Sequence, residues 1–205
     1  VSEPRTRGRP RTFDRDAVLD AALEQFWRKG FDSTSITDLT AASGCTAPTL
    51  YALFGSKEAL YEEAVKRYAE RAFGSRTELL AGGPADRDVL GALLLATVEA
   101  STSPDHPGGC LILTGGLADA QSPASSAVAR VRAFLLDGFK RFLVRAREMG
   151  NLGPCDIGAL ARFYLGVAQG IAAQAVDGAA REELIPLVTV ALAAWPTGKR
   201  QRSDA

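Results

Sequence analysis

Histidine and cysteine are scarce in this 205-residue chain, with one of the former and three of the latter. His106 stands alone, and Cys45, Cys110 and Cys155 are far apart with no CxxC pair, so neither a zinc site nor a disulfide scaffold is expected. An odd set of separated thiols fits a reducing cytoplasm. No apolar run approaches the roughly 20 residues that span a bilayer. The basic start carries no hydrophobic stretch of the signal-peptide kind, so the prediction is a cytoplasmic protein without a membrane partner. There is no phosphate loop ending in GK[ST] and no nucleophile elbow. The chain is therefore expected to be no enzyme and to hold no metal or cofactor. Strand signals are also poor: apolar residues recur at helical spacing, and Ala and Leu outweigh the β-branched and aromatic types. An all-α fold follows, with 46% apolar residues to build a sizeable core.

A net charge of zero argues at first against a nucleic-acid partner. The distribution reverses that. Arg5, Arg7, Arg9 and Arg11 face only Glu3 in the opening segment, which leaves the rest of the chain slightly acidic. This arm precedes the most informative stretch, TSITDLTAASGCTAPTLYALFGSKEAL, from Thr34 to Leu60. Ser35 with Asp38 three residues on forms a capping-box pattern, and Ile36, Leu39, Thr40 and Ser43 follow at helical spacing. Gly44 supplies a left-handed corner, Thr46 a cap hydroxyl, and Pro48 a first-turn residue that needs no amide donor. Leu50 and Phe54 point at the core, leaving Thr46, Ala47, Thr49, Tyr51 and Leu53 for another face.

Around this unit the helices read as follows. One begins at Asp14 or Arg15 with Val18, Leu19, Ala22, Leu23, Phe26 and Trp27 on its apolar face and stops at Gly30. Ser56 caps a longer one running to about Leu80; AGGPAD turns; Arg87 to about Ser101 is helical until SPDHPGG breaks it. Cys110 to Ala120 is predicted as a short apolar helix containing Gly115 and Gly116. Ser122 or Pro123 opens an amphipathic helix to about Gly150, Asp156 caps the next, and the last runs from about Ala180 to Trp195. Pro186 within it implies a kink or a later start. The last two helices are so poor in charge that a subunit interface is expected there.

The residues Gly30-Phe31, Thr34-Ser35-Ile36, Asp38-Leu39, Ala42, Gly44, Thr49-Leu50-Tyr51, Phe54, Ser56-Lys57-Glu58 and Leu60 resemble the DNA-binding domain of the TetR/AcrR family of bacterial transcriptional regulators. The resemblance implies a flexible basic arm (1–12), a helix-turn-helix DNA-binding domain (13–60), a helical effector-binding and dimerisation domain (61–195) and a disordered tail (196–205). It also implies a homodimer through the last two long helices, double-stranded operator DNA as partner and a small-molecule effector. The expected DNA contacts are Arg9, Arg11, Ser35, Thr37, Thr46, Ala47, Pro48, Thr49, Tyr51 and Lys57, with short hydroxyls and Ala47 near base edges and Tyr51 and Lys57 on phosphates. Cys45 stands where the family usually has a small aliphatic residue, and the reading face has few long polar side chains. Base specificity is therefore expected to lean on DNA shape and on the arm. A mainly apolar effector pocket is expected among Phe73, Cys110, Ile112, Leu113, Phe134, Phe142, Phe163, Tyr164 and Gln169. A ligand-released repressor is the leading expectation; an activator, or a thiol-responsive regulator through Cys110, is the alternative.

Overall fold

The local signals of the sequence become helix ends in the computed structural model, which describes residues 13–116 and 122–197. Among them are nine α-helices and no strand: α1 (Arg15–Lys29), α2 (Ile36–Ser43), α3 (Ala47–Phe54), α4 (Lys57–Ala81), α5 (Arg87–Thr102), α6 (Leu111–Thr114), α7 (Pro123–Glu148), α8 (Ile157–Val176) and α9 (Arg181–Ala193). Asp14, Ser35, Thr46, Ser56, Asp86, Ser122 and Asp156 each cap the helix that follows them with a side-chain oxygen.

Three short helices and the start of α4 share one small core. Phe26 is fully buried, meets Tyr61 edge-on at 5.0 Å and stacks on Phe31 at 6.1 Å; Leu39, Leu50 and Leu60 close the cluster. Trp27 lies at its border, only partly buried, pressed between Tyr68 (4.8 Å) and His106 (4.6 Å). The rest of α4 packs along α7, and α5, α8 and α9 complete a bundle of long helices.

Three expectations need correction. The helix predicted over Cys110–Ala120 is only Leu111–Thr114, because Gly115 leaves helical geometry and Gly116 turns to φ +63° where a Cβ would lie 2.6 Å from Val128 Cγ2. The two glycines end the helix and admit the close approach of α7; residues 117–121 lie outside the described residues. The last helix starts at Arg181 and runs through the exposed Pro186, so the later start that the proline allowed is not taken. The predicted tail begins with an anchored residue, since the Pro196 carbonyl accepts from Gly153 N–H at 2.9 Å. Residues 198–205 lie outside the described set, as does the basic arm with Arg9 and Arg11.

Candidate functional site

The corner between α2 and α3 is built by local hydrogen bonds. Asp38 N–H donates to Ser35 Oγ (3.1 Å) while Ser35 N–H donates to the Asp38 carboxylate (2.8 Å), the reciprocal pairing the spacing predicted. Lys29 reaches over from the end of α1 to the same carboxylate at 2.6 Å. The Lys29 and Ser35 hydrogen bonds hold the Asp38 carboxyl far below its ordinary range. Gly44 sits at φ +68°, ψ 5°, a left-handed C-cap that a Cβ would strain. Cys45 is buried behind it with its sulfur 3.0 Å from Ser43 Oγ, so the unusual residue at this position fills the corner rather than facing outward.

This corner turns one face of α3 outward. Leu50 and Phe54 are buried, whereas Thr46, Pro48 and Tyr51 are exposed and Ala47 and Thr49 half-buried; the Tyr51 ring keeps 46% of its surface open. The hydroxyls of Thr46 and Thr49 lie 2.9 Å apart across the first turn of the helix. Thr37 is exposed on α2, and the Ser35 hydroxyl donates to Asp38 at 2.6 Å. Half-buried Lys57 opens α4 with its ammonium 4.3 Å over the Phe31 ring, a cation–π contact. Short hydroxyls, a methyl, a proline and one aromatic phenol make up this outward surface.

The three-helix unit is tied to α4 by charge. Arg15 pairs with Glu63 at 2.7 Å and lies over the Phe54 ring; Arg67 bonds Asp16 and Asp20, and Arg71 reaches Asp20 at 3.0 Å.

Farther along α4 a cavity of about 40 Å³ opens inside the bundle. Phe73 and Leu113 line it, joined by Phe139, Leu165 and two polar residues, Arg76 and Thr97. The other expected pocket residues do not line it. Ile112 and Phe142 are fully buried in ordinary packing, Phe142 against Trp195. Cys110 is buried, and desolvation pushes its thiol pKa up. Tyr164 is buried with an unpartnered hydroxyl, its pKa pushed up to about 12 by burial. Gln169 Nε2 lies 3.5 Å from the Leu113 carbonyl. Phe134 and Phe163 are 54% and 43% exposed, because they occupy the outer edges of α7 and α8 rather than the stripes that turn inward. The sequence reading missed Arg76, although it lies in the inward register of α4, four residues after Ala72 and four before Leu80.

Residues 18–64 match the model of bacterial regulatory proteins of the tetR family. The HTH-type transcriptional repressor ComR of Escherichia coli (strain K12) is 34% identical over 94% of this chain and 93% of its own length. The chain belongs to the TetR family. Another E. coli K12 relative, the HTH-type transcriptional repressor BdcR, is 33% identical over 53% of each chain. Among solved structures, a cysteine mutant of the TetR family transcriptional regulator CifR complexed with 26-base-pair double-strand operator DNA superposes with a TM-score of 0.85. It is 37% identical, over 92% of this chain and all of its own. The TetR fold, a helix-turn-helix head on a larger helical body, and the function of a DNA-binding transcriptional repressor stand on these likenesses together with the geometry of α2 and α3. The activator or thiol-responsive alternative is not favoured.

Proposed function

We propose that this TetR-family chain acts as a homodimeric repressor that holds operator DNA through the outward face of α3 and lets go when a small molecule enters the helical body. The head comprises residues 13–60 and the body 61–195. The observation that carries the reading is the exposed edge of α3. Thr46, Ala47, Pro48 and Thr49 stand at its N-terminal end, short enough for backbone and base edges to come close, and Ala47 offers a surface for a thymine methyl. Tyr51 and Lys57 flank that edge and set register on phosphates, Lys57 beside the free amides that open α4. Ser35 and Thr37 meet backbone from α2. Arg9 and Arg11 enter the neighbouring minor groove.

The dimer interface is the outer face of α8 and α9. Phe163 and Gly166 on α8, with Pro186, Val190 and Ala193 on α9, are exposed, Val190 to 70%. Pairing such a face with its symmetry mate removes apolar surface from water and sets two α3 helices on one side, as a palindromic operator requires. Effector binding then biases the dimer toward a head spacing that fits the operator badly; a difference of about 1–3 kcal/mol between the two states suffices. No helix among the described residues is long and apolar enough to cross a membrane. We place the protein in the cytoplasm with its DNA.

Light scattering on the free protein and on its complex with a duplex from upstream of its own coding sequence tests the reading. Two chains per particle in both states support it; a monomer that binds the duplex as one chain contradicts it.

A further inference from the structure

Two half-buried arginines of the body, Arg76 and Arg132, have their pKa pushed down by desolvation and pair with no carboxylate among the described residues. They differ in what answers their donors. The Arg132 Nη1 donates to the carbonyls of Ile112 (2.8 Å) and Gly115 (2.7 Å), and this side chain is not part of the wall that Arg76 borders, so it works as a clamp on α6. The Arg76 guanidinium makes one hydrogen bond, from Nη2 to the Ala96 carbonyl at 2.9 Å, and borders the cavity between α4, α5, α7 and α8. The planar fork of a guanidinium is built to meet a carboxylate with two parallel N–H groups, and most of that fork is unanswered here.

Its surroundings offer no anion among the described residues. The titratable groups that act on Arg76 are the Tyr68 phenol and the Cys110 thiol. Both are pushed above their ordinary pKa by burial and stay neutral. Burial pushes the pKa of Arg76 itself down. A partly buried cation with no counter-ion among the described residues is costly to maintain, and a bound anion reduces that cost. Apart from Thr97, whose hydroxyl donates to the Leu93 carbonyl, the remaining walls, among them Phe73, Leu113, Phe139 and Leu165, are apolar and call for an apolar body on that anion.

Resting on the proposed regulator function, we propose that the effector is a small apolar monocarboxylic acid, its carboxylate held by Arg76 and its hydrocarbon part lodged between Phe73 and Phe139. A 40 Å³ cavity holds little more than water, so the acid opens the bundle as it enters. The wall that moves includes α4, the helix whose earlier turns carry Arg67 and Arg71 and so grip α1. Occupancy of the body is thereby converted into movement of the head.

The test is calorimetric titration of the full chain with hexanoate and benzoate, each against its primary amide. The acids bind, the amides bind at least tenfold more weakly, Arg76→Gln weakens the acids at least tenfold, and Arg76→Lys, which keeps the charge, restores part of the loss. Arg132→Gln leaves the preference of acid over amide in place. Absence of binding by either acid, equal binding of acid and amide, or native affinity in the Gln variant overturns the proposal. Should Arg76→Gln fail to fold, the acid-to-amide ratio in the native chain and the Lys variant decide. A parallel anisotropy titration with the operator duplex separates the two readings. DNA binding without acid selectivity sinks this inference alone, and acid binding without DNA binding sinks the regulator function while leaving the site.

Discussion

The head and the body of this molecule are held together by different means. In the head, α2 and α3 are eight residues each and meet at a corner closed by neighbours in sequence: Ser35 with Asp38, Gly44 and Thr46. In the body, helices of up to 26 residues pack through side chains distant in sequence, leave a cavity beside an unpaired arginine and expose apolar faces on α8 and α9. The contrast matches the two tasks. A surface that reads a groove must keep its geometry, which dense local bonding ensures, whereas a body that answers a ligand needs two packings of similar free energy.

Breaking the head at its centre has the largest expected effect. Phe26→Ala removes a fully buried ring from contact with Tyr61 and Phe31, costs about 3–5 kcal/mol and abolishes duplex binding; thermal denaturation and anisotropy measure the two losses. In the body, the matching break lies on the surface. Val190→Glu places a charge on the proposed dimer face and shifts the protein to monomers in analytical ultracentrifugation, lowering operator affinity at least tenfold. Because Val190 is exposed in the single chain, the monomer's helical circular dichroism stays intact. A variant that remained a dimer would move the interface elsewhere.

Smaller effects sharpen the same contrast. Gly44→Ala puts a Cβ into a left-handed corner with open space around it, so only backbone strain acts, and the melting curve reports a loss of about 1–2 kcal/mol. The smallest concerns the ionic tie between α1 and α4. Burial raises the Asp20 pKa, but hydrogen bonds from Arg71 and Arg67 outweigh it, so the folded value lies below the ordinary one. The stability this contributes is complete above the unfolded value of about 4 and is lost as pH falls through the folded value. Both partners are partly exposed, so the contribution is about 0.2–1 kcal/mol. Asp20→Asn is therefore less stable than the native chain at neutral pH, and the difference closes below pH 4 in a pH series of melting temperatures.

The contrast also decides what could be read without coordinates. Caps, the glycine corner and the apolar stripe of α1 involve residues within a few positions of one another, so the head was legible almost to the residue. Helix positions in the body were legible for the same reason, except where Gly115 and Gly116 ended α6 early and Pro186 did not delay the start of α9. The cavity was not. Which of Phe134, Phe139 and Phe142 turns toward α4 and α8 depends on how four helices meet, and periodicity along one helix cannot separate the centre of a stripe from its edge. Arg76 escaped because a lone arginine in a long helix looks like a solvated residue until its neighbours are placed around it.

The central claim is that the outward face of α3 grips duplex DNA, and Tyr51 tests it most directly, being exposed in the free protein and absent from the core. Fluorescence anisotropy with the upstream duplex should give native affinity in the nanomolar range, about 10⁻⁸ M or tighter at physiological salt. Tyr51→Ala should weaken it at least tenfold with an unchanged melting temperature. An unaltered dissociation constant in that variant would contradict the account.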